Sequence, residues 1–412
     1  MHDILPDEYI FYQNIYDKAE EIASYYGFQP IQTPHLEKTD LFTASIGPAT
    51  DIVEKQMYTL KTRGGDGLAL RPEGTAPVMR SYLEHGMHNL PQPVMLWYKG
   101  SFFRHENPQK GRYREFEQFG LEIINEPKPV AEIIIIQVLK LILEELGVGP
   151  VIVHINSIGD KECRSNYRKE LVNYYRKKEK ILCKDCQRRL KTNPLRLLDC
   201  KEQKCIELKE EAPQIIDYLC SSCKQHLKEV LEFLDSRQIS YFLNTRLVRG
   251  LDYYTRTVFE IFEDKEGAVD ALAAGGRYDY LAKTLSKKDF PAAGGAIGVD
   301  RIIELMKEKK ITAKHKRAPK VFLVQLGTAA KYKSLEIIEM FRKAHLPLSQ
   351  SISKDSLRGQ LKLASKLNVP YALILGQREA LENSIIVRDM ESGAQESVAI
   401  EKVAEVIKGK LK

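Results

Sequence analysis

Between Phe103 and Glu122 the stretch FRHENPQKGRYREFEQFGLE gathers four cations, Arg104, Lys110, Arg112 and Arg114, around a turn holding a proline and a glycine, then continues as an extended segment. A period of two places Arg112, Arg114, Phe116, Gln118, Gly120 and Glu122 on one face of that segment. A face running from positive charge to an amide and then a carboxylate suits a ligand with phosphates at one end and a cationic or imidazole-like group at the other. The plainer alternative is an exposed edge hairpin whose mixed charge guards against aggregation. The chain contains no Gly-x-x-x-x-Gly-Lys-Ser/Thr loop and no Gly-x-Gly-x-x-Gly between a strand and a helix. Phosphate binding must then rest on arginines, whose planar fork matches phosphate oxygens with paired hydrogen bonds. The candidates are Arg104, Arg112, Arg249 and Arg301. Arg301 stands apart because GGAIGVD precedes it, and glycines there let a flat ligand approach the backbone.

The cysteines pose a separate question. Six of the seven fall in pairs, Cys183 and Cys186, Cys200 and Cys205, Cys220 and Cys223. The N-terminus has no basic stretch followed by an apolar one, so no signal peptide is expected. The chain is read as cytoplasmic, a compartment that disfavours disulfides. Two Cys-x-x-Cys units suit a tetrahedral zinc site, with Cys183, Cys186, Cys220 and Cys223 as the candidate set. Spacing does not fix which four of the six bind, and unligated thiols are the alternative.

The elements that must position these residues follow from composition and periodicity. A chain of 412 residues has room for two or three domains. Hydrophobic content of 43% and charged content of 29% are ordinary for a soluble protein, and no apolar run reaches the ~18 residues of a membrane helix. EIIIIQVLKLILEEL (132–146) reads as a buried helix. Ile15, Ala19, Ile22 and Tyr26 recur at helical spacing until Gly27, Pro30 and Pro34 break the pattern. GLALRPEGTAPVMRSYLEH reads as a strand, a turn at Pro72 to Gly74 and a helix capped by Thr75. A first block closes near residue 160, a Lys-, Arg- and Cys-rich helical insertion spans 161–236, and strands return over 237–310. A basic linker covers 311–320, and short buried strands alternating with helices over 321–412 predict a small α/β domain. The net charge of +7 is bunched: eleven Lys or Arg against three acids from Arg164 to Lys191, and seven against one from Met306 to Lys320. Two such blocks flanking a phosphate-site candidate suggest a long polyanion such as RNA.

With these residues assembled, FRHENPQKGRYREFEQFGLE resembles motif 2 of the class II aminoacyl-tRNA synthetases and GGAIGVDRI resembles motif 3. LVRGLDYYTRTVFE, AAGGRYD and LRPEGTA are similar to signatures of the histidyl-tRNA synthetase family, a resemblance that runs from about residue 3 to the C-terminus. Ser101 and Asp300 stand where that family often has Pro and Glu. The resemblance implies an α+β fold: a six-stranded antiparallel sheet with flanking helices, split by the insertion into catalytic parts 1–160 and 237–310, then an anticodon-binding domain. It implies attack of the histidine carboxylate on the α-phosphate of ATP, with Mg2+ accompanying ATP, then transfer of histidine to the terminal ribose of its tRNA. Arg104 would hold the α-phosphate, Arg301 the γ-phosphate, with Glu106 and Arg112 also on ATP, and Arg249 would be the catalytic arginine between carboxylate and α-phosphate. Glu73, Thr75 and Gln118 would fix the amino and carboxylate groups. Glu122 and Tyr254 would meet the imidazole, with Tyr253 and Tyr278 lining the pocket. The family also implies a homodimer formed through the N-terminal helix and arm.

Two alternatives remain at the level of sequence. One is the synthetase-like regulatory subunit of histidine biosynthesis, expected to lack the C-terminal domain and to have a degraded LVRGLDYY, both intact here. The other is a purely RNA-binding protein, which leaves the pocket residues without a purpose.

Overall fold

A computed structural model describes all residues except 108, 201, 269, 314–318 and 412. Pro108 of the predicted turn and residues 314–318 of the predicted linker therefore lie outside the described residues. The chain divides into two compact units, 1–314 and 315–412.

In the first unit the order is α1 (Pro6–Tyr25), β1 (Gln29–Pro30), β2 (Leu36–Lys38), α2 (Thr39–Ile46), β3 (Thr59–Lys61), β4 (Gly67–Leu70), α3 (Thr75–Glu84), β5 (Val94–Phe103), β6 (Glu115–Ile124), α4 (Val130–Glu145) and β7 (Val151–Ser157). The insertion contributes α5 (Lys161–Arg176), α6 (Lys184–Thr192), α7 (Gln203–Glu210) and α8 (Ser221–Ser236). It is followed by β8 (Tyr241–Leu243), β9 (Thr255–Glu263), β10 (Ala273–Arg277), α9 (Leu281–Ser286), β11 (Ala292–Gly298) and α10 (Val299–Glu308). The main sheet has the order β1-β5-β6-β11-β10-β9-β7-β8, while β2, β4 and β3 form a small separate sheet. Its six inner strands pair antiparallel throughout, as the resemblance implied, and a short parallel strand extends each edge.

Alternation in the long strands sorts side chains between two cores. In β6, Phe119, Leu121 and Ile123 join the core beneath α1 and α4, and Phe116 and Ile124 join the one that includes α2, α3 and α9. Gln118, Gly120 and Glu122 share the second face by the same period. β6 starts at Glu115, so Arg112 and Arg114 precede the strand, which was expected to include them. In α4 the residues Ile135, Ile136, Val138, Leu139, Ile142 and Leu143 are fully enclosed, each worth about 1.5–3 kcal/mol. Ile15, Ala19 and Ile22 of α1 are also enclosed in that core, so this stripe is used within the chain.

The insertion has its own core, with Tyr167, Leu171, Tyr175, Leu197 and Ile215 packed among cysteines. A buried ion network ties it to the sheet. Glu132 of α4 receives Arg277 Nε at 2.8 Å and lies 2.6 Å from His226 Nε2 of α8, and Arg277 Nη1 lies 3.0 Å from Asp279. Burial alone would raise the Glu132 carboxyl, but Arg277 and His226 hold it down to about 2.

The second unit contains β12 (Val321–Gln325), α11 (Thr328–Lys343), β13 (Leu348–Gln350), α12 (Leu357–Lys366), β14 (Tyr371–Leu375), α13 (Gln377–Leu381), β15 (Ser384–Asp389), β16 (Gln395–Ala399) and α14 (Val403–Lys410). Its sheet runs β13-β12-β14-β15-β16, parallel over the first three strands and antiparallel over the rest, with separate apolar clusters.

Candidate active site

Arg104, Arg112, Arg196, Arg249 and Arg301 line a cavity of about 480 Å3, together with Phe116 and Gln118 of β6, Glu106 and Glu260. Arg104 leaves the end of β5, donates from Nε to Pro72 O at 2.8 Å and lies over the Phe116 ring at 5.3 Å. Arg301, in the first turn of α10, donates to Ala271 O at 2.7 Å. Gly111 has φ of +67°, and a Cβ there would meet Arg301 Cγ at 3.1 Å, so glycine lets the turn lie against that arginine. Arg112 Nη2 lies 3.5 Å from Asp270, and Arg249 is ion-paired to Glu260 of β9.

Carboxylates, among them Asp51, Glu117, Asp199 and Asp300, also line this cavity, and its arginines crowd one another. Burial pushes the Arg104 and Arg301 guanidiniums below the ordinary arginine value, and neighbouring cations add to it, Arg249 for the first and Arg112 for the second. The buried Nε donors of Arg112 and Arg249 have no partner among the described residues. A polyanion would relieve the repulsion and satisfy these donors.

Glu73, Thr75, Glu122, Tyr253, Tyr254 and Tyr278 form a second, closely packed group on the same face of the sheet, outside the residues that line the cavity. Glu122, 1% exposed, accepts the Thr75 hydroxyl at 2.7 Å and the Tyr278 hydroxyl. Burial pushes its carboxyl up to about 8, while the Tyr278 and Thr75 hydroxyls pull the other way and nearby Glu73 adds to the rise. Glu73 accepts the Thr75 and Ala76 amides at 2.7 and 3.0 Å and faces the Tyr253 hydroxyl at 3.3 Å. Thr75 was expected to cap α3; instead the Glu73 carboxylate does so, which frees the Thr75 hydroxyl for Glu122. The Tyr253 ring lies 4.7 Å from that of Tyr254 and 5.6 Å from that of Tyr278. Arg249 joins the two groups: it lines the cavity, and its guanidinium lies 5.8 Å from the Tyr254 ring.

Sequence reasoning assigned no role to three residues here. Tyr98 packs so closely on Gly74 and Gly120 that a Cβ at either would overlap its ring. Phe116 and Glu260 presented no signal beyond strand alternation, although one lies beneath Arg104 and the other anchors Arg249.

The expected metal set is corrected. Cys183 and Cys186 gather with Cys200 and Cys205, whereas Cys220 and Cys223 gather with Asp160 and Cys163; in each cluster the ligand atoms lie within 4.8 Å of one another. The Cys-x-x-Cys units sit at the starts of different helices, α6 and α8, and each finds its partners nearby instead of in the other unit.

Comparison with known proteins adds a family. A family model described as histidyl-tRNA synthetase matches residues 1–302, and one described as anticodon binding domain matches 320–410. The histidine–tRNA ligase of Syntrophotalea carbinolica is 43% identical over 407 residues, covering 99% of this chain and 96% of the relative. That of Natranaerobius thermophilus is 40% identical over 407 residues, with coverage of 98% and 97%. The crystal structure of apo histidyl-tRNA synthetase from S. aureus is 32% identical, with a TM-score of 0.82 and coverage of 99% and 98%. An ATP phosphoribosyltransferase regulatory subunit/histidyl-tRNA synthetase from Bacillus halodurans, 23% identical with a TM-score of 0.63 and coverage of 91% and 97%, shares the fold.

Proposed function

The chain belongs to the histidyl-tRNA synthetase family and joins histidine to tRNA by way of histidyl-adenylate, and on that premise we propose which residues carry each step. A histidine carboxylate oxygen attacks the α-phosphorus of ATP; the new O–P bond forms as the bond to the bridging oxygen of pyrophosphate breaks. No protein nucleophile takes part, so catalysis consists of positioning and of stabilising charge on the phosphorus.

ATP occupies the arginine-lined cavity. Arg104 holds the α-phosphate, Arg301 the γ-phosphate, Arg112 supplies further positive charge, and Phe116 offers the base a ring face. Mg2+ neutralises phosphate charge when bound with ATP. Glu106, an oxygen donor on the cavity wall 3.9 Å from Arg104 Nη1, is the residue that would help hold it. Histidine lies toward the enclosed group, with its amino and carboxylate groups on Glu73, Thr75 and Gln118 and its imidazole between Glu122 and Tyr254, walled by Tyr253 and Tyr278. The observation that carries this reading is the place of Arg249, which faces the cavity on one side and the Tyr254 ring on the other. A cation there contacts both the attacking carboxylate and the α-phosphate.

Histidine tRNA is the second substrate, its anticodon read by residues 321–412 and its backbone drawn by the basic blocks. Exposed Leu5, Tyr9 and Tyr25 support contact with a second copy of the chain through other faces of α1. The reaction is placed in the cytoplasm, where charged tRNA serves translation. Zinc is assigned to Cys183, Cys186, Cys200 and Cys205, since a tetrahedral ion with sulfur at ~2.3 Å sets sulfurs about 3.8 Å apart. Cys183 Sγ and Cys200 Sγ lie 3.8 Å apart. The regulatory-subunit alternative has less support, because ligases match this chain at about 40% identity over its whole length.

Arg249→Ala tests the reading. The variant is expected to slow adenylate formation a hundred-fold or more, about 2.7 kcal/mol, while ATP binding changes little. A raised KM for ATP with unchanged turnover contradicts the role.

A further inference from the structure

We propose that Asp160, Cys163, Cys220 and Cys223 form a second metal site, for a zinc-type divalent cation, which closes the base of the insertion onto the catalytic sheet. It is carried by geometry that the four-cysteine cluster does not share. Asp160 Oδ2 lies 3.5 Å from Cys220 Sγ and 3.4 Å from Cys223 Sγ. A tetrahedral ion with sulfur at ~2.3 Å and a carboxylate oxygen at ~2.1 Å sets oxygen and sulfur about 3.6 Å apart. The other carboxylate oxygen, Oδ1, is already engaged, accepting the Cys163 amide at 2.9 Å and capping α5. Asp160 is thereby fixed with one oxygen turned toward the three sulfurs. The Cys220 amide donates to Cys163 Sγ at 3.0 Å, the kind of N–H contact that stabilises a thiolate ligand. Gly159 completes the fit: with φ of +66°, a Cβ there would overlap Cys163 and come within 3.1 Å of Leu219.

Thiols alone explain this arrangement poorly. Without a cation, Oδ2 of Asp160 faces sulfur donors, which are weak hydrogen-bond partners for a carboxylate. All three cysteines are free, so no disulfide accounts for their convergence. The location also differs from that of the first cluster, whose four ligands all lie within 183–205. Here the ligands come from the turn after β7, the first turn of α5 and the start of α8, the two ends of the insertion. From α5, Arg164 donates to the carbonyls of Asp252 at 3.3 Å and Tyr254 at 3.0 Å, so the clamp also steadies the segment that carries Tyr254.

Zinc content of the full chain, purified without chelators, tests this. Native mass spectrometry should find about two zinc ions per chain, one for each cluster. The double variant Cys220→Ser/Cys223→Ser should hold about one, and so should Cys183→Ser/Cys186→Ser. With cobalt as the probe, the wild-type spectrum minus that of Cys220→Ser/Cys223→Ser should show the intense visible bands of a tetrahedral thiolate site, shifted in Asp160→Asn. No zinc in the wild-type chain overturns the proposal, as does an unchanged zinc count in Cys220→Ser/Cys223→Ser. If that variant fails to fold, Cys183→Ser/Cys186→Ser decides, since loss of all zinc from it overturns the proposal.

Discussion

Glu122 is a carboxylate with two hydroxyls for company and almost no water, and its chemistry follows from that. With its carboxyl pushed from 4.5 up to about 8, the ligand-free chain keeps it largely protonated at neutral pH. The folded state then binds a proton that the unfolded chain releases. The group's stability contribution is complete below pH of about 4.5 and is lost as pH rises through about 8. Glu122→Gln should therefore gain about 3 kcal/mol on wild type between pH 5 and pH 8, read by denaturant unfolding at both values. A gain that does not change with pH contradicts the buried, protonated state. In the proposed reading the same side chain selects the substrate: Glu122→Ala should weaken histidine binding roughly ten- to more than a hundred-fold, the equivalent of about 1.5–3 kcal/mol, with ATP little affected. Equal losses for both ligands in binding titrations would make Glu122 a brace. The shared face of Gln118 and Glu122 was legible because strand alternation needs nothing beyond the chain itself. The cap on α3 was not, since Thr75 has the right side chain for it and loses the position to Glu73 through contacts made across the fold. Cys163 was missed for a related reason: it has no neighbouring cysteine, and its partners come from both ends of the insertion.

Among the elements, the join between α4, α8 and β10 is the most exacting. Arg277 and Glu132 are both fully enclosed, so neither charge can be released to solvent if its partner is removed. Arg277→Met should cost about 3–5 kcal/mol in urea unfolding, and Glu132→Gln/Arg277→Met should cost less than that single change. A double variant no more stable than Arg277→Met would show that the pair contributes packing and not charge compensation. Glu132, held at about 2, has the opposite sign from Glu122: its contribution is present above about pH 4.5 and lost as pH falls toward 2. The helix α4 itself was plain from its apolar run, as were the long strands from their alternation. The network was not, because a lone acid near a helix start and an arginine after two glycines reveal nothing of each other until the sheet brings them together. The stripe on α1 shows the limit of periodicity in another way: it identified a buried face without saying whether the chain's own core or a second copy covers it.

At the scale of the molecule, the proposed division of labour places every activation residue before residue 314 and anticodon reading after it. A chain ending at residue 314 should still form histidyl-adenylate but lose most tRNA charging, and full charging by that truncation would contradict the role proposed for 321–412. The family was legible from a few short motifs, while the arrangement of cysteines into two clusters required the folded chain. That this chain activates histidine by direct attack on ATP is tested most directly by exchange of labelled pyrophosphate into ATP without tRNA. The full chain should catalyse the exchange when histidine is supplied and not when other amino acids replace it, and Arg249→Ala should reduce it a hundred-fold or more. Absence of exchange with histidine, or equal exchange with unrelated amino acids, would contradict it.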